Sequence, residues 1–514
     1  MLNSRLKVFL TLVGGYVLLE LLSWIGYNTP VFSGALFSAV VLAVAVLSWY
    51  RPGYGVVAVL GELFVGSQGG YMLALGPANI DGAILSLRMG LFLAVFGAWL
   101  ARSFVSLVRG QKPRWYLEMK ASRLWLPYLV LLAVFAFGAV RGWLMGHGFG
   151  NVFFDANGYA FFALFPAFIE GLSDLRARRL LWYVLAAAVT VSVAKALFVL
   201  YFFSHRIFEV AANMYVWIRD TRVGEVTIMQ ADFHRVFFQS HLFVLAGLFA
   251  AFMLAARQRL FRGAAFWAPF GLFVWGVVAM LLGLSRSYWF GGFVGCLAMV
   301  GLLLWTRYGH GLWKRMIVLA PLGLVFAVAI IAAVYAFPYP AKTGDVSFAS
   351  LMGGRALSVA GEAAANSRWV LLDALWPVGF EHPFFGSGLG KTVTYTTSDP
   401  RLLADIPDAQ YTTFAFEWGY HDLWIKFGLL GLAIYAWLIA AILRPYALAV
   451  SEHRKLKTAG ITPADDQTNA YIVIGILAGV IAMLATNIFS PYLNHPLGIG
   501  LLMAVAGLAL PAEK

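Results

Sequence analysis

The sequence predicts an all-α, polytopic membrane protein, and three observations carry that prediction. Apolar runs close to the ~20 residues that span a bilayer recur along most of the chain. Hydrophobic residues make up 61% of the 514, against 12% charged. Lysines and arginines gather in alternate loops, as membrane insertion requires. A soluble chain of this length would divide into several domains, whereas a bilayer-embedded bundle absorbs it as a single membrane domain, residues 1–514.

The elements follow in order. "MLNSRLKVFLTLVGGYVLLELLSW" carries Arg5 and Lys7 ahead of an apolar stretch. No small-residue cleavage site follows, so it reads as a first helix and not as a leader. Further spans are expected at 31–50, 54–76, 83–101, 124–141, 158–173, 180–202, 234–255, 264–283, 288–306, 316–337, 421–443, 470–490 and 496–511, which makes about fourteen. With the N-terminus inside, the alternate loops collect 23 of the 37 lysines and arginines but only six of the 24 acids. That bias orients the chain with both termini cytoplasmic. The net charge of +13 then needs no nucleic-acid partner, since the basic loops hold few aromatics and no recognisable binding module. The single cysteine, Cys296, lies within a span, so no intramolecular disulfide forms.

Two connections are long, 204–233 and 338–420, and both fall on the outer face. Unstructured loops of such length are uncommon unless functional or disordered, and the second is too rich in leucine and aromatics to read as disordered. In "NSRWVLLDALWPVGFEHPFFGSGLGKTVTYTT", Ser367 is placed to cap a helix that runs from Trp369 and stops at Pro377. Gly386, Gly388 and Gly390 then mark a tight turn. Neither internal repeats nor paired broken helices are visible.

"FGSGLGKT" approaches the phosphate-cradling G-x-x-x-x-G-K-[ST] pattern, but Phe385 stands where the first glycine belongs. H-E-x-x-H, paired C-x-x-C and G-x-S-x-G are missing, so neither metal nor cofactor is expected. Chemistry must come from dispersed residues. Arg286, in "LLGLSRSYWFGG", and Arg235, in "ADFHRVFFQSH", each read either as snorkelling anchors or as forks for phosphate oxygens. Arg235, Arg286, Arg368 and His421 are far apart in sequence, yet the charge-derived topology brings all four to the outer face. That convergence favours an anion site. In "EWGYHDLWIKFGLLG", His421 titrates in the range that suits a general base. Glu417, one helical turn earlier, or Asp422 is placed to hold its tautomer, and Lys426 to pair with either acid. Glu20, Glu62, Arg88 and Lys195 fall in or near spans, where charges form either a proton relay or buried pairs.

"NSRWVLLDALWPVGFEHPFFGSGLG" followed by "YHDLWIKFGLLGLAIYAW" resembles the O-antigen ligase and polymerase superfamily. The match takes Arg368, Pro383, Gly386, Gly388, His421, Leu423, Gly428 and Gly431, and "SRSYWFGG" is similar to the family's Ser-Arg-Gly hairpin, with Arg286 in the arginine position. Arg235 matches the arginine after the earlier periplasmic loop. His421-Asp422 replaces the family's His-Asn, which leaves Glu417 and Asp422 as rival bases. The resemblance implies a GT-C-like bundle with a large helical periplasmic loop in the bacterial inner membrane. It also implies metal-independent, inverting glycosyl transfer at the periplasmic face. The donor would be a glycan on undecaprenyl diphosphate and the acceptor a glycan or glycolipid hydroxyl. Arg235, Arg286 and Arg368 would hold the diphosphate, His421, Glu417 or Asp422 would act as base, and Lys426, Gly386 and Gly388 would support them. A polysaccharide or lipid transporter is the competing class.

Overall fold

A computed structural model describes residues 4–66, 71–76, 85–205, 207–229, 233–258, 260–307, 310–341, 363–398, 403, 406, 408–458 and 464–509. Its helices are α1 (Ser4–Asn28), α2 (Pro30–Tyr50), α3 (Pro52–Leu63), α4 (Leu87–Val108), α5 (Arg114–Ala121), α6 (Trp125–Leu144), α7 (Phe149–Ala160), α8 (Phe165–Gly171) and α9 (Leu175–Ser204). They continue with α10 (Phe208–Asp220), α11 (His241–Arg257), α12 (Ala264–Gly283), α13 (Arg286–Trp305), α14 (His310–Tyr335), α15 (Ala363–Glu381), α16 (Gly419–Thr458), α17 (Ala464–Thr486) and α18 (Pro496–Ala509). Three two-stranded antiparallel ribbons complete it: β1 (Ala74–Leu75) with β2 (Leu85–Ser86), β3 (Gly224–Ile228) with β4 (His234–Phe238), and β5 (Val393–Thr396) with β6 (Gln410–Thr413).

Among the described residues ten helices are long and apolar enough to cross a membrane, one of them formed by α7 and α8 joined through a 3-10 turn. Four of the expected spans, 54–76, 234–255, 470–490 and 496–511, appear as the shorter apolar helices Pro52–Leu63, His241–Arg257, Ala470–Thr486 and Pro496–Ala509. At 1.5 Å per residue, α3 extends only about 18 Å. The expected span at 234–255 begins instead as strand β4, so Arg235 sits on a ribbon opposite Thr227 and not at a helix start. The expected stop at Pro377 is also corrected: α15 runs through it to Glu381, and Ser367 shares a hydrogen bond with Thr397 (2.9 Å) in place of capping. Loop 204–233 holds α10 and β3. Of loop 338–420, residues 342–362 lie outside the described set.

The bundle centre is built on small residues. Added Cβ atoms at Gly475 and Gly479 of α17 would fall 2.5 Å from Ala250 Cα and 2.3 Å from Ala246 O on α11. Helices in lipid gain little from the hydrophobic effect and associate through such close backbone approach.

The feature that most shapes the site is a break in α16. Gly428 adopts φ 69°, ψ −176° inside an otherwise continuous helix, a conformation that favours glycine. The backbone groups freed at the break are met by the loop after α15: Ser387 N and Gly388 N donate to Ile425 O (2.6 Å) and Lys426 O (3.0 Å). In return, Leu429 N and Leu430 N donate to Pro383 O (2.8 Å) and Phe384 O (3.1 Å). Interrupted helices persist in a bilayer only when other protein groups satisfy them in this way.

Candidate functional site

The glycine-rich loop is a plug and not a phosphate cradle. Gly386 and Gly388 both have positive φ, and a Cβ at Gly388 would lie 2.3 Å from Gly142 N on α6. Leu389 N donates to Gly138 O at 2.9 Å, and Arg141 Nε donates to Gly386 O at 2.7 Å. Lys391, the lysine of the near-match, pairs with Glu381 at 3.0 Å.

Beneath the plug lies a buried charge cluster. Lys426 Nζ reaches Asp155 Oδ1 and Asp422 Oδ1, both at 2.6 Å, with the lysine and Asp422 completely buried. Asp422 Oδ2 accepts from Asn494 Nδ2 at 2.9 Å and from the Tyr159 hydroxyl at 3.4 Å; Asp155 Oδ2 accepts from Gly390 N at 2.8 Å. Lys426 therefore pairs with Asp422, one of the two partners expected. Asp422 has both oxygens engaged, so it ties the first half of α16 to α7 and to the 487–495 linker and faces no open space.

His421 lies one position earlier and faces the other way, half-buried among tryptophans. Its ring centroid is 5.0 Å from Trp376, 6.1 Å from Trp418 and 6.2 Å from Trp424. It makes no hydrogen bond among the described residues. The expected carboxylate partner is elsewhere: α16 starts at Gly419, so Glu417 precedes the helix and its carboxylate pairs with Arg368. Trp418 Nε1 donates to Arg368 O at 2.9 Å and locks α15 to this turn.

Arg235 reaches the turn that leads into α13, which starts at Arg286. Arg235 Nε donates to Gly283 O at 2.6 Å, three residues before Arg286, while its Nη1 stands 3.7 Å from Glu225 Oε2. Hydroxyls crowd the same corner: Ser285 Oγ lies 3.0 Å from Ser287 Oγ, which accepts from Ser490 Oγ at 3.0 Å, and Tyr288 meets Tyr492 at 2.5 Å. The 487–495 linker joins this corner to Trp418, because Phe489 packs on Phe290 of α13 (5.4 Å) and on Trp418 (5.3 Å). Arg235 thus lies against the turn before Arg286, Arg368 pairs with Glu417 close to the His421 turn, and the 487–495 linker packs on both α13 and Trp418. In that linker burial, with Arg88 nearby, pushes His495 down to about 3, and its Nδ1 accepts from Leu497 N at 3.2 Å. A neutral ring at the head of α18 follows.

Sequence reasoning missed Asp155, Asn494, Ser490, Tyr492 and the tryptophan box. Asp155 had a signal, a lone acid inside "NVFFDANGYAFF". The four intramembrane charges do pair, Arg88 bidentately with Glu62 (2.9 and 3.0 Å), and Lys195 with Glu20 (2.8 Å) and the Tyr71 hydroxyl (2.7 Å). Compared with known proteins, the chain matches no family model and no curated relative.

Proposed function

We propose that the chain transfers a glycan from a polyprenyl diphosphate to an acceptor hydroxyl, with the site at the periplasmic mouth of the bundle. The observation that carries this reading is the chain of contacts from Arg235, on the Gly283 carbonyl just before Arg286, through Ser287, Ser490 and Phe489, to Trp418 and His421. Cations and hydroxyls at one end suit a diphosphate; an imidazole beside indole faces suits a sugar hydroxyl.

In this mechanism the acceptor oxygen attacks the anomeric carbon and its proton passes to His421. The bond from that carbon to the diphosphate oxygen breaks, and the electron pair leaves with the diphosphate. Arg235 and Arg286 meet the charge that grows there, a preorganised contribution of the kind worth about 10²–10³ in rate per donor. Among the three rival bases the geometry favours His421. Asp422 is engaged at both oxygens, and Glu417 is held by Arg368.

Purified protein given lipid-linked oligosaccharide and acceptor is expected to release polyprenyl diphosphate without ATP, and Arg286→Ala or His421→Ala to abolish release in a folded protein. Full activity in either variant removes that residue from the mechanism.

A second reading, a transporter of lipid-linked glycan, draws on the helix broken at Gly428 and the buried Glu20–Lys195 and Glu62–Arg88 pairs, features that transporters place near the bilayer midplane. Donor translocation across proteoliposomes without transfer would favour it.

A further inference from the structure

A cluster of buried polar groups lies towards the C-terminal ends of α1 and α9. Lys195 Nζ donates to Glu20 Oε1 and to the Tyr71 hydroxyl, and it also stands 4.7 Å from the centre of the Phe238 ring. His241, at the head of α11, packs on that same ring at 5.3 Å. Tyr71 in turn packs on Trp217 of α10 (5.9 Å), and Trp217 on Trp24, one turn after Glu20 (5.5 Å). Helices α1, α9, α10 and α11 thus gather around one ammonium.

The ion pair satisfies only part of this cluster. Five further atoms are buried with no hydrogen-bond partner among the described residues: Glu20 Oε2, Trp217 Nε1, Ser192 Oγ, one turn before Lys195, and both ring nitrogens of His241. His241 is completely buried, and Ser192 and Trp217 are at most 5% exposed. Polar atoms shut off from both solvent and protein partners are costly, most of all within a bilayer.

The character of these atoms indicates what meets them. The carboxylate oxygen only accepts, the indole N–H only donates, and the hydroxyl and a neutral imidazole do both. Glu20 and Lys195 cancel each other's charge, so neither a cation nor an anion is favoured over a neutral ligand. Water, which takes two to four hydrogen bonds of either sense, fits such a mixed set. A hollow of about 20 Å³ adjoins the cluster. Its lining includes Ser23, one turn beyond Glu20, Met72, next to Tyr71, and Thr221, whose Oγ1 donates to Trp217 O at 2.6 Å. Room for one water begins at about 10–15 Å³.

We propose that internal waters bind in this cluster, bridging Glu20, Trp217, Ser192 and His241, and that the hollow beside Ser23 and Thr221 is their way in. The inference is independent of the glycan-transfer reading.

Radiolytic hydroxyl labelling of the full chain in nanodiscs, read by mass spectrometry, tests it. X-rays generate the radical from water in place, so a buried ring is oxidised only where water touches it. After correction for intrinsic ring reactivity, Tyr71, Trp217 and His241 are expected to label about tenfold faster than Phe165 and Phe168, which are also buried but lie in the apolar core. Ser23→Leu fills the hollow and leaves the Glu20–Lys195 pair in place. It is expected to slow the entry of heavy oxygen from added labelled water into those products. Labelling at the phenylalanine rate overturns the proposal, because the orphaned atoms then find partners without water. Unslowed entry in Ser23→Leu overturns the hollow as the route.

Discussion

Replacing Lys426 by methionine tests the buried cluster most directly. The side chains have similar length, so packing changes little, but the ammonium that bridges two carboxylates at 2.6 Å each is lost. Asp155 and Asp422 would be left facing one another, each with a single strong hydrogen bond, from Gly390 N and Asn494 respectively. Removing one partner of a buried ion pair costs about 3–5 kcal/mol, a rise in the unfolded fraction of roughly 200- to 5,000-fold. The cluster is also asymmetric. One lysine faces two acids, so Asp155→Asn alone leaves a neutral Lys426–Asp422 pair and is expected to cost much less. The triple variant Lys426→Met, Asp155→Asn, Asp422→Asn is expected to recover most of the loss. Unfolding in detergent, followed by intrinsic fluorescence, ranks the three. If Lys426→Met is no less stable than Asp155→Asn, the cluster does not hold charge in the way its geometry implies.

Other outcomes follow from the same geometry. Gly388→Ala adds a Cβ 2.3 Å from the α6 backbone at φ +87°, so its unfolding temperature should drop clearly; a parent-like value would show that the plug can shift. Glu417→Gln breaks an ion pair whose side chains are both nearly half exposed and should change stability by less than about 1 kcal/mol, checked in the same unfolding assay. Burial, with Arg88 nearby, lowers the His495 pKa in the folded chain from the ordinary 6.5 to about 3, so the unfolded chain binds the extra proton. Stability therefore falls as pH drops from about 6.5 towards 3, and His495→Asn should give a shallower acid limb in unfolding measured against pH. Arg235→Lys keeps the charge but loses the planar fork, and should lose transfer activity measured as polyprenyl diphosphate release.

The legible parts of the fold are those that depend on neighbours in sequence. An apolar run of about twenty residues is helical in lipid whatever surrounds it, so the long helices were foreseen, although their polar ends were not: α16 continues past the expected 443 to Thr458, and α7 begins at Phe149 ahead of the expected 158. The convergence of Arg235 with Arg286 followed from loops counted on the same face, and the Gly283 carbonyl now joins the first arginine to the second's turn. What escaped depends on distant partners. "HRVFF" is apolar enough to pass for a helix start and forms a strand only because "GEVTI" lies across from it. Asp422 looked like a base beside His421, and it is a buried tether because Asn494 and Lys426, itself paired with Asp155, surround it.

Gly428 joins these observations into one physical account. In "KFGLLG" it looks like any glycine in an apolar helix, and its break exists only because carbonyls from Pro383 and Phe384, more than forty residues earlier, receive the amides of Leu429 and Leu430. The break separates the nine residues from Gly419 to Phe427, including His421, Asp422 and Lys426, from the long half that follows. Such a short segment has little helical stability alone. It is held instead by the Lys426 ion pairs below, by the plug at its C-terminal end and by Trp418 at its start. The segment that carries His421 is then held by the buried charges of Lys426, Asp155 and Asp422. A histidine on an uninterrupted span would take its orientation from the helix axis, whereas here the cluster holds the segment, which explains why a titratable pair lies one residue and one turn from a ring that makes no hydrogen bond among the described residues.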